Sequence, residues 1–278
     1  MKRIASIQDV SCLGRCSQTV ALPVISAMGV ECAILPTAVL STHTSFPDFR
    51  CLDLTDQLLP VARHWKAQGV RFDALYTGYL ASDRQVAVVL ELLELLREEG
   101  TLLFVDPAMA DHGKLYAGFG PEFPALMAQV VSKAQITVPN ITEASLMTGL
   151  PYREDYDEAY VKALLRGVAA LGAEKVVLTG VSFTPDSIGF MSYDSVSGTY
   201  DSYFNRRDAH AYHGTGDIFS ATAVGGIMRG LSLQDAFRLA VDFTLHCIEV
   251  TRTDPHASWY GVEFERALPM LTERMKEI

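Results

Sequence analysis

Cysteine, long apolar runs and export signals are scarce or missing in this sequence. The five cysteines are an odd number in a chain without an export signal, so we expect reduced thiols and no disulfide framework. Cys12 and Cys16 have the spacing C-x-x-x-C, but no second pair follows to complete the four ligands of a structural zinc site. No apolar run approaches the roughly 18 residues that a membrane helix needs, and Gln8 and Asp9 interrupt the apolar start of the chain. We therefore expect a cytoplasmic protein that does not bind membranes.

Positive charge is also in deficit. Lys and Arg total 23 against 33 Asp and Glu, which gives a formal charge of −10, whereas a non-specific nucleic-acid binder usually carries the opposite sign. A polyanionic ligand must therefore find locally positive groups, and no nucleic-acid partner is expected. Of the 278 residues, 49% are apolar and 20% are charged, which is sufficient for a sizeable core. One domain over residues 1–278 is the simplest organisation.

Segments of strand length alternate with segments of helical period along the chain. Strands are predicted at residues 3–7, 31–35, 74–77, 102–105, 135–138 and 175–178, followed by a hairpin of 187–193 and 199–204. Helices are predicted at 16–28, 55–68, 86–99 and 161–171, and they dominate from Gly216 onward. Because the segment 102–105 is apolar on both faces, the pattern predicts an α/β fold with a mostly parallel central sheet flanked by helices.

Polar residues follow most of the predicted strands. In open parallel sheets the ligand lies beyond the carboxyl ends of the strands, so these positions are candidate binding residues. They are Gln8, Asp9, the segments 41–44 and 77–79, Asp106, Asn140, Glu143, Thr179 and the segment 214–217. Taken singly, each has an ordinary explanation, because strand ends are exposed to water.

The run from 213 to 221 is the most informative motif. Gly214 and Gly216 flank Thr215, and Asp217 leads directly into an apolar helix. Glycines let several backbone N–H groups converge on a phosphate oxygen, and the helix N-terminus adds a partial positive charge. Asp217 could then accept a proton from a hydroxyl while these amides stabilise a transferred phosphoryl group. From the residues alone, an ordinary glycine-rich turn with Asp217 as a helix-dipole partner remains the alternative.

This run resembles the signature of the ribokinase-like family of small-molecule kinases. Further blocks resemble the vitamin B6 kinases within that family, in the same order along nearly the whole chain: residues 6–8, 41–44, 77–79, 106–111 and 139–143. The resemblance implies a ribokinase-like three-layer sandwich and ATP-dependent phosphorylation of the 5′-hydroxymethyl group of a B6 vitamer. It also implies Mg²⁺ and a homodimer, and it leaves open a requirement for a monovalent cation such as K⁺.

The resemblance assigns residues to the catalytic and nucleotide side of the site. Asp217 is the general base, and the preceding turn of Gly214, Thr215 and Gly216 is the anion hole. Asp106, Asp111 and Glu143 hold Mg²⁺ directly or through water, and Asn140 and Thr179 border the nucleotide. Without the resemblance, Asp106 before a proline is a turn former and Glu143 is a solvated carboxylate in a first helical turn.

The resemblance also assigns the vitamer side. Tyr79 and His43 line the pyridine ring and Thr44 hydrogen-bonds it, although the sequence around His43, taken alone, favours a capped loop histidine. The segment 204–212, with Arg206 and Arg207, borders ATP. The polar segment 41–53 is predicted to fold over the substrate as a flap that excludes water, or else to be a plain surface loop.

Asp9 departs from the B6 kinases, which carry serine after the Ile-Gln pair. A carboxylate close to the pyridine substituents favours an ammonium group over an aldehyde, so we expect pyridoxamine to be used at least as well as pyridoxal. The alternative is that Asp9 is a loop acid that caps the helix starting near Cys16.

Three other functions stay open at this point. A hydroxymethylpyrimidine kinase of thiamine synthesis shares the fold, but those enzymes often carry cysteine where Asp217 stands. A nucleotide-binding relative without turnover would not need Asp217 and Gly216. A sugar kinase would need a ring of polar groups, whereas the blocks at 41–44 and 77–79 supply aromatic surface.

Overall fold

The computed structural model describes residues 1–208, 210 and 212–278. Its strands are β1 (Arg3–Ser11), β2 (Glu31–Leu40), β3 (Cys51–Asp53), β4 (Ala74–Thr77), β5 (Leu102–Val105), β6 (Ala110–Asp111), β7 (Lys114–Leu115), β8 (Ile136–Thr137), β9 (Lys175–Val181), β10 (Ser187–Asp194) and β11 (Thr199–Arg206). Its helices are α1 (Gln18–Ala27), α2 (Thr55–Ala67), α3 (Asp83–Leu96), α4 (Phe123–Val131), α5 (Ile141–Thr148), α6 (Glu158–Ala170), α7 (Thr215–Met228), α8 (Leu233–Arg252) and α9 (Phe264–Met275).

Nine of these strands form one mixed sheet in the order β11-β10-β9-β8-β5-β4-β1-β2-β3. The six strands from β9 to β2 in that order pair in parallel, whereas β3, β10 and β11 are antiparallel to their neighbours. Most neighbouring parallel strands are joined through helices, as parallel pairing requires. The predicted α/β fold with a mostly parallel sheet between helices is confirmed.

Helices cover both faces of the sheet and bury two separate cores. Helices α2 to α6 pack on one face, and α1, α7, α8 and α9 pack on the other. Successive strand residues alternate between the two cores, so that in β5 Leu103 and Val105 face one and Phe104 faces the other. Burial on both faces explains why this strand is apolar throughout.

The strand β1 is longer than predicted. It continues past Ile7 to Ser11, because Ser11 pairs with Leu40 of the equally extended β2. The pairing shifts by a bulge between Gln8 and Val10, which places Asp9 inside the strand. The alternative that Asp9 is a loop acid is therefore wrong.

Two other segments differ from the prediction. Helix α1 begins at Gln18 and not at Cys16, because the preceding Ser17 has φ 50° and ψ −130°, outside the helical region. The predicted flap ends in β3, which pairs with β2, so the loop itself spans residues 41–50. Ser82 caps α3, since its side chain accepts a hydrogen bond from the N–H of Gln85.

None of the helices within the described residues is both long and apolar enough to cross a bilayer.

Gln85 is a fully buried amide that joins three elements. Its Nε2 donates to the carbonyl of Thr37 at 3.0 Å and to Oγ1 of Thr55 at 3.0 Å, and its Oε1 accepts from the N–H of Ala81 at 2.7 Å. Loss of this side chain leaves buried polar groups without partners, which costs more than the net value of each bond.

We therefore expect Gln85→Ala to lower the free energy of unfolding by about 2–4 kcal/mol, as cavity and unpaired polar groups add. Equilibrium urea unfolding measures the change. Gln57→Ala, at an exposed position of helix α2, is the matched control and should change stability by less than about 0.5 kcal/mol. Equal stability losses in both variants would contradict this role of Gln85.

Candidate active site

The polar residues predicted at strand ends meet at the carboxyl edge of the parallel strands. Asp9 lies near the end of β1, Tyr79 and Asp106 follow β4 and β5, and Asp217 lies in the first turn of α7. The charges of Asp9 and Asp106 both act on Asp217, so these three acids share one site. The sheet topology brings together residues that are more than 200 positions apart in the sequence.

The glycine turn before α7 is held against the loop that follows β1. Gly214 is the N-cap of the helix and has φ 79°, and a Cβ built on it would lie 1.8 Å from the carbonyl oxygen of Arg15. Glycine is therefore required here both by conformation and by close approach. At Gly216, in contrast, a Cβ would meet no atom within 4 Å. The first N–H groups of α7 have no partners within the helix and are available to an anion.

Asp217 is half-buried, and its carboxyl is tuned towards neutral pH. Burial raises its pKa to about 8, and the charges of Asp106 and Asp9 contribute to the rise, while a hydrogen bond from the backbone N–H of Ser17 opposes it. A carboxyl with such a pKa can exchange a proton near physiological pH, as a general base must.

Asp106 and Glu143 form a buried acidic pair beside Asp217. Oδ2 of Asp106 accepts from Oγ of Ser220 at 2.7 Å. Both oxygens of Glu143 are bonded by backbone, Oε1 by the N–H of Met109 at 3.1 Å and Oε2 by the N–H of Asn140 at 2.9 Å. Burial raises the pKa of each acid, and their mutual repulsion raises that of Asp106 further.

These acids fit a hydrated Mg²⁺. Like charges buried together favour a cation between them, and hard carboxylate oxygens are the ligands that Mg²⁺ prefers. Each oxygen of Glu143 keeps a lone pair besides its backbone hydrogen bond, so the carboxylate would act directly or through water. Asp111 lies outside the pair, on the β6–β7 hairpin, and its charge contributes to the raised pKa of Glu143. Across the described ranges, no three His, Cys, Asp or Glu side chains form a group that could hold a metal ion by themselves.

Asn140 and Thr179 lie next to each other at the ends of β8 and β9. They form an isolated parallel bridge, in which the N–H of Thr179 donates to the carbonyl of Pro139 at 2.9 Å. The Asn140 side chain accepts from the N–H of Glu143 and donates to the carbonyl of Ala110, so it fixes the start of α5 and the β6–β7 hairpin. Both residues therefore border the Glu143 side of the site.

The segment 204–212, which is predicted to border ATP, contains two arginines with partners in the protein. Arg206 forms an ion pair with Glu249 on α8, and the N–H of Arg207 donates to the carbonyl of Asp186. Positions 209 and 211 lie outside the described residues. The ATP contact predicted for this segment stays a prediction.

Tyr79 supplies an aromatic surface at the other end of the site. Its ring centroid lies 5.5 Å from that of Phe119, which stacks on Phe123 at 3.8 Å. Burial raises the pKa of Tyr79 to about 12, and the charges of Asp9 and Cys51 add to the rise. The hydroxyl therefore stays protonated and can donate a hydrogen bond.

His43 is buried in an aromatic cluster that joins the loop 41–50 to the glycine turn. Its ring centroid lies 5.1 Å from that of Phe46, 5.2 Å from that of His213 and 5.8 Å from that of Trp259. Its Nδ1 accepts from the N–H of Ser45 at 3.1 Å, and burial lowers its pKa, as does the charge of His213. The ring packs within this cluster, while the neighbouring Thr44 is exposed, and the predicted contact of both residues with the pyridine ring stays a prediction.

Sequence reasoning missed Ser17 and Ser220. Ser17 hydrogen-bonds both acids, with its hydroxyl on Asp9 and its N–H on Asp217, and it adopts a positive φ that no sequence pattern reveals. Ser220 follows Asp217 by three residues, so the helical period places both on one face of α7. That spacing could have identified Ser220 from the sequence.

Comparison with known proteins agrees with this geometry. Residues 22–260 match a family described as phosphomethylpyrimidine kinase. The chain belongs to this family. Among its curated relatives, pyridoxal kinase of Arabidopsis thaliana is 28% identical over 232 residues, which are 80% of this chain and 73% of the relative. Pyridoxine/pyridoxal/pyridoxamine kinase of Bordetella avium is 28% identical over 259 residues, 90% of this chain and 85% of the relative.

Solved structures are also similar to this chain. Pyridoxal kinase from Lactobacillus plantarum superposes with a TM-score of 0.90 at 31% identity, and the match covers 100% of this chain and 99% of that one. A protein of Bacteroides thetaiotaomicron, provisionally named a phosphomethylpyrimidine kinase and solved with pyridoxal, gives 0.92 at 35% identity, covering 97% of this chain and 95% of that one. The ribokinase-like fold and the resemblance to the B6 kinases are confirmed.

The contact between Gly214 and Arg15 predicts opposite effects of alanine at the two glycines of the turn. Gly214→Ala should lower the free energy of unfolding by about 1–3 kcal/mol, because the turn must shift and strain. Gly216→Ala, where space is free, should leave stability equal or raise it by up to about 1 kcal/mol. Thermal unfolding of both variants compares them, and equal losses would contradict the close contact.

The raised pKa of Asp217 predicts a pH-dependent cost to folding. A carboxyl whose pKa is about 8 when folded and 3.8 when unfolded destabilises the folded chain above about pH 4, and the cost grows as the pH rises towards 8. Without ligands, Asp217→Asn should therefore be more stable to urea than the wild type near pH 8, with a gain that shrinks towards pH 4. Asp155→Asn, at an exposed acid, should show no such trend. A gain independent of pH would argue against this titration.

Proposed function

We propose that this chain is a kinase that transfers a phosphoryl group from ATP to the 5′-hydroxymethyl group of a vitamin B6 vitamer. The observation that carries the proposal is the placement of Asp217, a half-buried carboxyl with a raised pKa, immediately after a glycine turn at the start of α7. The names of the curated relatives, which are kinases of pyridoxal, pyridoxine and pyridoxamine, support the choice of substrate.

Asp217 and the glycine turn act on different groups during phosphoryl transfer. Asp217 accepts the proton of the vitamer hydroxyl, and its raised pKa makes its carboxylate a stronger base than that of an ordinary aspartate. The amides of Gly214, Thr215 and Gly216 face the charge that develops on the migrating phosphoryl group. Phosphoryl transfer asks little covalent chemistry of a protein, so position and electrostatics supply most of the acceleration.

The nucleotide side is formed by residues around the end of β8. Asp106 and Glu143 would hold Mg²⁺, with Asp111 as a more distant acid, and Asn140 and Thr179 would border the phosphates. When bound, Mg²⁺ neutralises charge on the phosphates of the nucleotide. The choice of ATP as donor and any use of K⁺ stay predictions.

The vitamer side combines an aromatic surface with the loop 41–50, which would close over the substrate. Tyr79 gives the pyridine ring a face to stack on, and Asp9 and Thr44 give its substituents polar partners. The cluster of His43, Phe46 and Trp259 connects the loop 41–50 to the C-terminal part of the chain. Closure of that loop would exclude water, so that the phosphoryl group reaches the vitamer and not the solvent.

We also propose that residues 1–278 act as one kinase domain, because the sheet takes strands from residue 3 to residue 206 and α7 to α9 pack back on it. The homodimer implied by the resemblance stays a prediction. Phosphorylation of hydroxymethylpyrimidine is not favoured, because the curated relatives cited above are named for B6 vitamers.

A panel of pyridoxal, pyridoxamine, pyridoxine and hydroxymethylpyrimidine with Mg-ATP tests the activity. We expect a higher kcat/KM for the B6 vitamers than for hydroxymethylpyrimidine, measured by release of ADP and by the phosphorylated product. Asp217→Asn should lower kcat by about 10²- to 10⁴-fold, because the general base is lost. Asp155→Asn removes one acidic charge at an exposed position and is the matched control. Near-normal turnover of Asp217→Asn, or a clear preference for hydroxymethylpyrimidine, would overturn the proposal.

A further inference from the structure

Asp9 is a buried carboxyl that lacks a cationic partner. Asp9 is only 3% exposed, and its Oδ2 accepts a hydrogen bond from Oγ of Ser11 at 3.0 Å. Burial raises its pKa, and the opposing contributions come from the hydroxyls of Ser17 and Ser11 and from its own backbone. In the described residues, none of these contributions comes from a lysine, arginine or histidine. A buried carboxylate without a cation is costly unless a ligand completes it.

The strand register places Asp9 beside the aromatic surface of the site. Ile7 pairs with Thr77, and the N–H of Gly78 donates to the carbonyl of Ile7 at 3.2 Å. Asp9 and Tyr79 each follow this last pair by two residues, and the charge of Asp9 raises the pKa of the Tyr79 hydroxyl. The bulge of β1 against β2 occurs at this same position.

Asp9 also lies close to the base. Its charge acts on Asp217, and Ser17 hydrogen-bonds both carboxyls. The charge of Asp9 also raises the pKa of the thiols of Cys16 and Cys51. All of these neighbours are neutral or acidic, so no neighbouring cation among them competes for the Asp9 carboxyl.

The chemistry of the vitamers indicates what such an acid would meet. Pyridoxal, pyridoxine and pyridoxamine share one ring and differ in the 4-substituent, which is an aldehyde, an alcohol or an aminomethyl group. This substituent is next to the 5-hydroxymethyl group that is phosphorylated. When the 5-hydroxyl faces Asp217, an acid that shares the pocket and borders the ring is placed to meet the 4-substituent.

We propose that Asp9 is a specificity-determining residue that binds an ammonium group on the 4-substituent of the substrate ring and so favours pyridoxamine over pyridoxal. The inference rests on the proposed function and names the substrate preference of the same site. A charge-assisted hydrogen bond in a partly dry pocket is about twice as strong as a neutral one. A neutral aldehyde cannot form it and leaves the carboxyl without its cation.

Steady-state kinetics of the full-length protein on the three vitamers tests the proposal. We expect the ratio of kcat/KM for pyridoxamine to that for pyridoxal to fall by about 10- to 100-fold in Asp9→Asn, mainly through the KM for pyridoxamine. Asparagine keeps the size of the side chain and the acceptor for Ser11, so the fold is preserved. Asp9→Ser is a second variant that removes the charge with a smaller side chain, and Asp155→Asn is the control for loss of one acidic charge.

Calorimetric binding of pyridoxamine and pyridoxal, without nucleotide, provides a readout that needs no turnover. The ratio of the two Kd values should shift in the same direction in Asp9→Asn. An unchanged ratio in both measurements, or a pyridoxal preference above tenfold that survives Asp9→Ser, would overturn the role of Asp9. If the wild type phosphorylates none of the B6 vitamers, the proposed function fails, and the Kd ratio alone then decides whether Asp9 recognises an ammonium group.

Discussion

The carboxyl edge of this sheet concentrates buried negative charge. Asp9, Asp106, Glu143 and Asp217 are brought together there, and burial raises the pKa of every one of them. In a chain with a formal charge of −10, no excess of basic residues offsets this cost. The acids are held instead by neutral donors, namely serine hydroxyls and backbone N–H groups, which position the carboxyls without neutralising them. The arrangement suits ligands that bring positive charge with them.

The rest of the fold supplies the rigidity that such a site requires. The strands beneath the acids are buried on both faces, and helices from distant parts of the sequence complete the two cores. The glycine turn is fixed by contact with the loop after β1, and Glu143 is fixed by the capping of its own helix. Each functional group is therefore held by an element that stability already requires, so little extra ordering is needed when a ligand binds.

The sequence was most informative where local signals are strong. Strands β4 and β5 begin and end as predicted, because they are short apolar runs between clear turns. The extension of β1 depends on pairing with β2, and strands of two residues such as β6 and β7 have no periodicity to detect. The site acids could be predicted from their positions after strands. The strained Ser17 and the aromatic enclosure of His43 could not, because both arise from contacts between distant segments.

The aromatic cluster around His43 gives the molecule an internal optical probe. The sequence contains two tryptophans. Trp65 lies in α2 and packs against the core on that face of the sheet, whereas Trp259 is 58% exposed and its ring centroid lies 4.5 Å from that of Phe46. Indole emission depends on nearby rings and on access of water. A displacement of the loop 41–50 would therefore change the light emitted by Trp259, so this indole reports on the position of the loop without an added label.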